Sequence, residues 1–273
     1  MRGLLAALVD GESTDEISVM DRGLHFGDGV FETIAVRGGV PLLWERHIER
    51  LQAGGKRLGL SPLDGNILLE WATKLSQLQD RAVLKLMVTR GVGGRGYRPG
   101  STAPTIALLV YAWPDYPPGA QDGVAVRFCD LRLAMQPRLA GIKHLNRLEQ
   151  VLARAEWGDE FAEGLMLDQA GHVVEGTMSN LFAVIDGELR TPDLTNCGIE
   201  GVMRNLVLET ARPWLATRTT PIDGNDLMRA SEIFLTNCLI GIWPVTKLID
   251  QALAAGPVTR RLQAALGTEY VAG

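Results

Sequence analysis

The stretch Ala140-Gly141-Ile142-Lys143-His144-Leu145-Asn146-Arg147-Leu148-Glu149-Gln150 places one lysine between a glycine and an apolar-periodic segment. Gly141 permits an unusual backbone turn just before Lys143. The apolar residues after the lysine recur at helical spacing, at Leu145, Leu148, Val151 and Leu152. This spacing predicts a helix whose apolar face is anchored in a core and whose first turn lines a site.

Lys143 is the candidate reactive residue of this stretch. An amine beside an apolar wall and other cations loses proton affinity, and its neutral form can bond to a carbonyl compound or act as a general base. The alternative is a surface lysine that flanks a helix, because charged helix ends are usually solvated. The choice between these interpretations depends on the rest of the chain.

Composition places the chain among ordinary globular proteins. With 273 residues, 46% of them hydrophobic, it can bury a large core and is expected to form two domains. The net charge of -5, without a concentrated run of Lys and Arg, argues against nucleic acid and anionic membranes as partners. No apolar run reaches the ~18 residues that a membrane-spanning helix needs.

The cysteines and histidines form no recognisable disulfide or metal pattern. Cys129, Cys197 and Cys238 lack CxxC spacing, and the histidines are scattered. Reduced thiols in a cytoplasmic protein are therefore expected, and no metal site is predicted. Leu4 to Val9 is interpreted as a first strand and not as a signal peptide, because it is short and runs into the turn signal Asp10-Gly11.

Residues 1–113 are predicted to form an N-terminal α/β domain. Apolar and β-branched runs predict strands, and apolar positions at helical spacing predict helices. The strands are expected at Leu4–Val9, Val30–Val36, Val40–Leu43, Val83–Thr89 and Thr105–Ala112, and the helices at Trp44–Leu58 and from Ser61-Pro62 to about Leu78. Gly38-Gly39 should turn the chain between the second and third strands, which together predict a hairpin.

The loop Arg90–Gly100, between the last two of these strands, reads RGVGGRGYRPG. It is too rich in glycine for regular structure, and it carries three arginines and a tyrosine. It lacks the Gly-Lys-Ser/Thr of a P-loop, so its glycines alone are weak grounds for a phosphate site. The loop is either a flexible hairpin connection or a mobile wall that offers cations to an anionic substrate.

A proline-rich segment at 114–121 predicts the linker to a C-terminal domain at 122–273, because prolines stiffen the chain and remove backbone donors. Strands are expected there at Gly123–Cys129, Gly164–Leu167, Val173–Thr177, Asn180–Ile185, Leu189-Arg190, Ile233–Thr236 and Trp243–Val245. Gly198 to Arg204 should run into a helix that ends near Trp214, and a last helix should follow Pro257. A glycine just before a helix leaves N–H groups open to an anion, so this helix start is either a phosphate site or a simple loop end.

Six stretches of the chain occur in the order found in class IV (fold type IV) pyridoxal-phosphate enzymes. They are Phe26–Thr33, His47–Leu51, Ala140–Gln150, Glu175–Phe182, Gly201–Arg204 and Asn237–Val245. The chain therefore resembles this superfamily over nearly its whole length. The resemblance implies a mixed α/β, two-domain fold like that of D-amino acid aminotransferase, with pyridoxal 5'-phosphate as cofactor and a homodimer as the assembly.

The superfamily contains branched-chain aminotransferases, D-amino acid aminotransferases and 4-amino-4-deoxychorismate lyases. Two stretches resemble the lyases, namely RGVGGRGY at Arg90–Tyr97 and AGIKHLNRLEQ at Ala140–Gln150. Leu148 stands where branched-chain aminotransferases carry a cofactor-packing tyrosine, which counts against that branch. The resemblance implies conversion of 4-amino-4-deoxychorismate to 4-aminobenzoate and pyruvate in folate biosynthesis. The alternatives are a class IV aminotransferase acting on D- or branched-chain amino acids, and a non-catalytic protein that binds the cofactor.

The resemblance also implies roles for individual residues around the cofactor. Lys143 would bind the cofactor covalently and act as the catalytic base, and Glu175 would pair with the pyridine nitrogen. Arg50 would bind the phosphate through its fork of donors. The remaining phosphate contacts would come from backbone N–H groups of Val202, of Met203 and of the Asn237-Cys238 turn.

Substrate binding is assigned to a few local cations. The substrate of the lyases is a dianion and the chain is acidic overall, so attraction has to come from particular side chains. Arg95 and Tyr97, together with Arg147, would hold the two carboxylates, because the planar fork of arginine pairs bidentately with a carboxylate.

Overall fold

The computed structural model describes residues 3–100 and 103–267, and its contacts divide the chain into two compact units. Unit 1 contains the described residues up to Pro114 together with Ile142–Asn146. Unit 2 contains Asp115–Gly141 and the described residues from Arg147 onward. Both units combine strands and helices, which confirms the predicted mixed α/β class. The ends of the predicted domains, at 1–2 and 268–273, lie outside the described residues.

Unit 1 is built on an antiparallel sheet. Its strands are β1 (Leu4–Val9), β2 (Gly29–Arg37), β3 (Val40–Pro41), β4 (Arg81–Thr89) and β5 (Thr105–Ala112), in the order β1-β5-β4-β2-β3. Gly38 and Gly39 both have positive φ, at 54° and 78°, and they connect β2 to β3 as the predicted hairpin. Aliphatic and β-branched side chains suit the pleated surface, and Ile34, Leu84 and Leu108 are fully buried in it.

Three helices of unit 1 are α1 (Arg22–Phe26), α2 (Trp44–Leu58) and α3 (Gly65–Ser76). α2 has the predicted bounds, because Trp44, Ile48 and Leu51 recur at helical spacing and are buried in the core of the unit. Burial of each such side chain stabilises the fold by roughly 1.5–3 kcal/mol.

Helix α3 starts later than predicted, at Gly65 instead of Ser61-Pro62. The Asp64 side chain accepts hydrogen bonds from the N–H groups of Asn66 and Ile67 and so caps the first turn at that point. The helix ends at Ser76, close to the predicted end.

Unit 2 is organised around a second sheet. Its strands are β6 (Val124–Leu133), β7 (Glu163–Asp168), β8 (Val173–Gly176), β9 (Asn180–Ile185), β10 (Glu188–Thr191), β11 (Thr217–Thr219), β12 (Glu232–Asn237), β13 (Gly241–Leu248) and β14 (Gln251–Ala252). The described strands run in the order β11-β10-β9-β12-β13-β6-β7-β8, and β14 pairs with β13. The helices of the unit are α4 (Leu148–Arg154), α5 (Val202–Ala211), α6 (Gly224–Arg229) and α7 (Pro257–Leu266).

The strands β7, β8 and β9 lie in the interior of unit 2. Every residue of these three strands is buried. Polar residues on them, such as Glu163, Glu175 and Asn180, are therefore held inside the protein and must find hydrogen-bond partners there. The short elements β11, β14 and α6 were not predicted, because so few residues show no clear periodicity.

The segment around Lys143 differs from the prediction. Ile142–Asn146 packs with unit 1, although the sequence places it in the predicted C-terminal domain. Helix α4 begins only at Leu148, and Leu148, Val151 and Leu152 are 68%, 61% and 54% exposed in the single chain. The prediction that this apolar face of the helix packs in a core is therefore wrong. These residues do share one face of a helix, but that face is an exposed apolar surface.

Two observations on the described residues concern the cellular location of the protein: the state of the cysteines and the length of the helices. The three cysteines lie outside disulfides. Within 3–100 and 103–267, no helix is both long and apolar enough to cross a bilayer. A cytoplasmic location, and the absence of nucleic-acid and membrane partners, stay predictions from the sequence.

Candidate active site

Lys143 lies in a segment that is hydrogen-bonded to strand β2. The Phe31 N–H donates to the Lys143 carbonyl at 3.0 Å, and the Leu145 N–H donates to the Gly29 carbonyl at 3.0 Å. An isolated β-bridge lies between these two bonds. The pairing extends the sheet beside β2 and holds the backbone of the lysine at the sheet edge.

Two glycines permit the close approach of this segment to the rest of unit 1. Ile142 is 2% exposed, and a Cβ at Gly54 would lie 3.1 Å from its Cγ2 atom. The Asn146 amide donates to the Gly27 carbonyl at 3.2 Å, and Gly27 adopts a left-handed conformation with φ of 63°. Both ends of the lysine segment are therefore fixed.

The Lys143 amine lies against an aromatic wall. Its Nζ atom is 4.3 Å from the centre of the Phe31 ring, and the Nζ atom of Lys85 is 5.5 Å from the centre of the same ring. Burial lowers the pKa of Lys85, because a desolvated ammonium is less stable than one in water. Lys85 was not singled out from the sequence, although a lysine within the apolar strand β4 was an available signal.

Arg50 belongs to a buried ionic group with Glu32 and His47. Arg50 donates to Glu32 through Nε, at 2.8 Å, and through Nη2, while His47 Nδ1 lies 2.6 Å from Glu32 Oε2. Burial of Glu32 opposes its ionisation, but the charge of Arg50 and the hydrogen bonds from His47 and Arg50 lower the pKa of Glu32 to about 2. Glu32 therefore stays ionised and orients the guanidinium of Arg50.

The side chains of the loop Arg90–Gly100 have different surroundings. Arg95 and Tyr97 are exposed, Tyr97 by 86%. Arg90 is buried, and it donates to Asp28 at 2.8 and 3.0 Å and to two carbonyls at the C-terminal end of α2. Arg90 is therefore a structural residue, and the predicted substrate residues of unit 1 are the ones that reach solvent.

Glu175 is a buried carboxylate at the base of the loop that enters α5. Its Oε2 atom accepts from the Ile199 N–H at 2.8 Å. Gly198 has φ of 88°, and a Cβ there would lie 2.7 Å from the Val174 side chain. A residue with a side chain would thus disturb the loop that holds the carboxylate. Glu175 is therefore held in place by a backbone N–H group and is 3% exposed.

The charge of Glu175 reaches two arginines of unit 2. Burial lowers the pKa of both Arg147 and Arg204, and the negative charge of Glu175 acts in the opposite direction at each. Arg204 serves the fold, since it donates to Thr191 Oγ1 at 3.3 Å and to the Pro192 carbonyl at 3.1 Å. Within unit 2, two of the predicted residues, Glu175 and Arg147, are therefore close enough for their charges to interact.

The start of α5 is an open helix end. Gly201 precedes the helix and offers no side-chain cap among the described residues. A Cβ at Gly201 would collide with Asn180, whose amide donates to the Ile199 carbonyl at 2.9 Å. The N–H groups of Val202 and Met203 lie at the positive end of the helix dipole. This arrangement suits an anion such as phosphate.

The turn after β12 is organised by Asn237. Its side-chain oxygen accepts from the N–H groups of Leu239 and Ile240 at 2.8 and 2.9 Å, and its amide donates to the Met178 carbonyl at 3.0 Å. Cys238 is buried beside it. The side chain of Asn237 therefore shapes the turn, and a ligand at this turn would meet backbone groups.

Glu163 is a further buried carboxylate of unit 2, and it was not singled out from the sequence. It accepts from the N–H groups of Thr177 and Met178 at 3.1 Å and from the hydroxyls of Thr177 and Ser179 at 2.5 and 2.9 Å. Charge-assisted bonds of this kind hold the turn between β8 and β9. The only signal in the sequence was an acidic residue at the start of a buried strand.

The residues present fit pyridoxal phosphate, group by group. Unit 1 offers an amine against an aromatic ring and an arginine oriented by a buried carboxylate. Unit 2 offers a carboxylate held by a backbone N–H and an open helix N-terminus. An amine bonds to an aldehyde, a carboxylate pairs with a pyridinium, and arginine and helix N–H groups bind phosphate. The described residues contain no group of His, Cys, Asp and Glu suited to a metal ion.

Comparisons with known proteins agree in sequence and in fold. Residues 29–248 match the family model described as Amino-transferase class IV. The aminodeoxychorismate lyase of Vibrio harveyi is 37% identical over 270 residues, which cover 95% of this chain and 99% of that protein. The crystal structure of 4-amino-4-deoxychorismate lyase from Pseudomonas aeruginosa is 48% identical, with a TM-score of 0.92, and the match covers 95% of this chain and 97% of that one.

An aminotransferase is also among the relatives. A putative branched-chain-amino-acid aminotransferase of Methanocaldococcus jannaschii is 33% identical over 271 residues, which cover 93% of each chain. The match of the family model and the similarity to the Pseudomonas aeruginosa structure confirm the predicted fold type IV and the resemblance from which it came. The chain therefore belongs to the class IV aminotransferase family, whose members depend on pyridoxal phosphate.

Proposed function

We propose that the chain is an aminodeoxychorismate lyase, which converts 4-amino-4-deoxychorismate to 4-aminobenzoate and pyruvate in folate biosynthesis. The observation that carries the proposal is the joint match of sequence and fold to the Pseudomonas aeruginosa lyase, at 48% identity and a TM-score of 0.92. The Vibrio harveyi relative with the same activity in its name is 37% identical over 95% of the chain.

The reaction needs one proton acceptor beside an electron sink. When bound, pyridoxal phosphate supplies the sink that stabilises negative charge on the carbon next to the substrate nitrogen. Lys143 would hold the cofactor, and its amine, when neutral, would take the proton from that carbon. Removal of this proton would lead to cleavage of the neighbouring C–O bond, and the carbocycle would become aromatic. The enolpyruvyl group would leave as enolpyruvate, which becomes pyruvate when its methylene carbon takes up a proton.

The surroundings of Lys143 support this role. The Phe31 ring, 4.3 Å from Nζ, shields one side of the amine from water. The pairing of its backbone with β2 limits the positions that the amine can reach. A proton acceptor positioned in this way contributes ~10²–10⁴-fold in rate.

The other polar groups would orient the cofactor. Glu175, held by the Ile199 N–H, would pair with the pyridine nitrogen and keep it protonated. Arg50, oriented by Glu32, would bind a phosphate oxygen. The N–H groups at the start of α5 are proposed as phosphate donors in their own right.

Direct turnover tests the proposal. Purified protein loaded with pyridoxal phosphate is incubated with aminodeoxychorismate, and 4-aminobenzoate and pyruvate are measured. We expect the two products in equal amounts, without any added amino-group acceptor. Cofactor-loaded protein that forms neither product would overturn the proposal.

A class IV aminotransferase is the second candidate, and the aminotransferases among the relatives favour it. Besides the protein of Methanocaldococcus jannaschii, the D-alanine aminotransferase of Bacillus licheniformis is 29% identical over 92% of this chain. Transfer of the amino group of D-alanine or of a branched-chain amino acid to a keto acid would support this candidate. A non-catalytic binding protein would hold the cofactor but show no change in its absorption when amino substrates are added.

Arg95→Ala is expected to weaken substrate capture and leave cofactor binding intact. Loss of one charged hydrogen bond to a substrate carboxylate should lower kcat/KM for aminodeoxychorismate. The corresponding loss of transition-state stabilisation is ~1.5–3 kcal/mol. Arg98→Ala, an exposed arginine of the same loop, is the matched control. Equal losses in both variants would assign the effect to the general charge of the loop, and unchanged kcat/KM in Arg95→Ala would place the carboxylate site elsewhere. Tyr97 and Arg147 stay proposed substrate residues.

We also propose that the chain forms a homodimer. Leu148, Val151 and Leu152 form one exposed apolar face of α4, and such faces mark contact surfaces. Light scattering should give twice the mass of the 273-residue chain, and Leu148→Glu should shift the mass toward the monomer. Leu78→Glu, at an exposed leucine after α3, is the control that should leave the mass unchanged. A fully active wild-type monomer at assay concentration would contradict the dimer.

A further inference from the structure

Arg22 is a buried arginine of unit 1 whose contacts the reaction described above does not use. Its Nε donates to Asp28 at 2.9 Å, and its Nη1 and Nη2 donate to the carbonyls of Gly96 and Tyr97 at 2.9 and 3.3 Å. Its guanidinium carbon lies 4.7 Å from the centre of the Phe26 ring, which in turn packs against the Tyr97 ring at 5.4 Å. One cation thus joins an acid, an aromatic ring and the loop backbone.

The loop is also fixed to Arg22 and its neighbours before residue 95. The Arg22 N–H donates to the Gly91 carbonyl at 3.0 Å, and the Gly93 N–H donates to the Met20 carbonyl at 3.2 Å. A Cβ at Gly93 would lie 2.7 Å from Arg22 Cδ. The loop is therefore anchored by hydrogen bonds on both sides of Arg95.

Asp28 connects Arg22 to the scaffold. Arg22 and Arg90 both donate to its carboxylate, and Arg90 also donates to the carbonyls of Leu58 and Gly59 at the end of α2. Burial of Asp28 opposes ionisation, but the hydrogen bonds and charges of Arg90 and Arg22 lower its pKa. Arg22 is therefore held in place by an ionised acid.

We propose that Arg22 is a positioning residue that sets the conformation of residues 93–97 and thereby presents Arg95 and Tyr97 to an anionic substrate. The inference rests on the proposed function, which assigns that substrate. Arginine is required because its planar fork serves three acceptors while it stacks on Phe26. A lysine ammonium is a point donor and cannot reproduce this set of contacts.

The test uses Arg22→Lys in the cofactor-loaded protein, which keeps the charge and removes the fork. Arg154→Lys is the matched control. Arg154 lies 4.8 Å from the Trp157 ring centre and donates to the carbonyls of Trp157 and Gly158 at 2.8 and 3.3 Å. It therefore shares the ring and carbonyl contacts of Arg22, but it is exposed and these contacts do not involve the loop. Gly93→Ala is a second variant that keeps Arg22 and displaces its side chain through the added Cβ.

Three quantities are measured in each variant: hydrogen exchange of peptides covering 91–97, KM and kcat for aminodeoxychorismate, and the cofactor absorption. We expect Arg22→Lys and Gly93→Ala to speed exchange in the loop and to raise KM about tenfold, with kcat and absorption retained. Arg154→Lys should change neither KM nor loop exchange.

Two results would overturn the proposal. Unchanged hydrogen exchange in the loop would show that Arg22 does not anchor it. Faster exchange with unchanged KM would show that Arg22 stabilises the loop but does not affect substrate binding. If Arg22→Lys fails to fold, the loop exchange and the KM of Gly93→Ala decide whether the proposal holds. If the wild-type protein does not turn over aminodeoxychorismate, the proposed function fails by itself, because KM and kcat for this substrate cannot then be measured. The exchange data then still show whether Arg22 anchors the loop. The claim that Arg22 presents Arg95 and Tyr97 to this substrate would be wrong together with the proposed function.

Discussion

Lys143→Ala should abolish the covalent link to pyridoxal phosphate and lower turnover of aminodeoxychorismate by at least ~10²–10⁴-fold, the usual contribution of a positioned proton acceptor. Alanine offers neither an amine to bond the cofactor nor a base. The measurements are the absorption of the cofactor-bound protein, the rate of 4-aminobenzoate formation, and peptide mapping after borohydride reduction. In the wild-type protein, the reduced cofactor should be found on the peptide that contains Lys143.

Lys85→Ala is the control for this prediction. The amines of Lys85 and Lys143 lie 5.5 and 4.3 Å from the centre of one ring, so proximity to Phe31 alone does not decide which of them bonds the cofactor. The Lys85→Ala variant should keep the covalent link. A cofactor label on Lys85, or full activity in Lys143→Ala, would contradict the assignment.

Glu32→Gln should destabilise unit 1 by ~3–5 kcal/mol, the usual effect of removing one partner from a buried ion pair. Glu32 is 0% exposed and accepts hydrogen bonds from Arg50, and His47 lies 2.6 Å from the same carboxylate. The neutral amide cannot balance the charge of Arg50. Urea denaturation measures the change in the free energy of unfolding.

Glu188→Gln is the matched control, because Glu188 also contacts two arginines, Arg190 and Arg218, but in a partly exposed setting. Such surface pairs contribute ~0–1 kcal/mol. A loss from Glu32→Gln no larger than that of the control would contradict the structural role of Glu32. Because Glu32 orients Arg50, the variant should also bind pyridoxal phosphate more weakly.

The same carboxylate predicts how stability depends on pH. The pKa of Glu32 is lowered from 4.5 to about 2 in the folded protein. Its contribution to stability is therefore fully present above about pH 4.5 and is lost as the pH falls toward about 2. The contribution is on the order of 3 kcal/mol, and it should be missing from the pH profile of Glu32→Gln.

Local structure followed from the sequence where side-chain periodicity was strong. Helix α2 has the predicted bounds because Trp44, Ile48 and Leu51 recur on one face. The β2–β3 hairpin was predicted because Gly38 and Gly39 can adopt positive φ. The predicted start of α3 was wrong because the side chain of Asp64 caps the helix, which begins at Gly65 and not at Ser61-Pro62.

Candidate site residues could be named from the sequence, but their partners could not. Arg50 was named, yet Glu32 and His47, which orient it, lie on β2 and α2 and meet only when these elements pack. Arg90 was grouped with the loop cations, although it is bound to Asp28 and the end of α2. Long-range pairing of this kind leaves no mark in local spacing.

By itself, the sequence determined the elements that depend on contacts between near neighbours, and the order of motifs that identifies the family. Only the tertiary structure decided that Ile142–Asn146 pairs with β2 and that α4 begins only at Leu148. It also decided that Leu148 and Val151 are exposed. The physical reason is that helical spacing specifies which residues share a face, whereas the surface that covers this face is specified by residues far away in the chain.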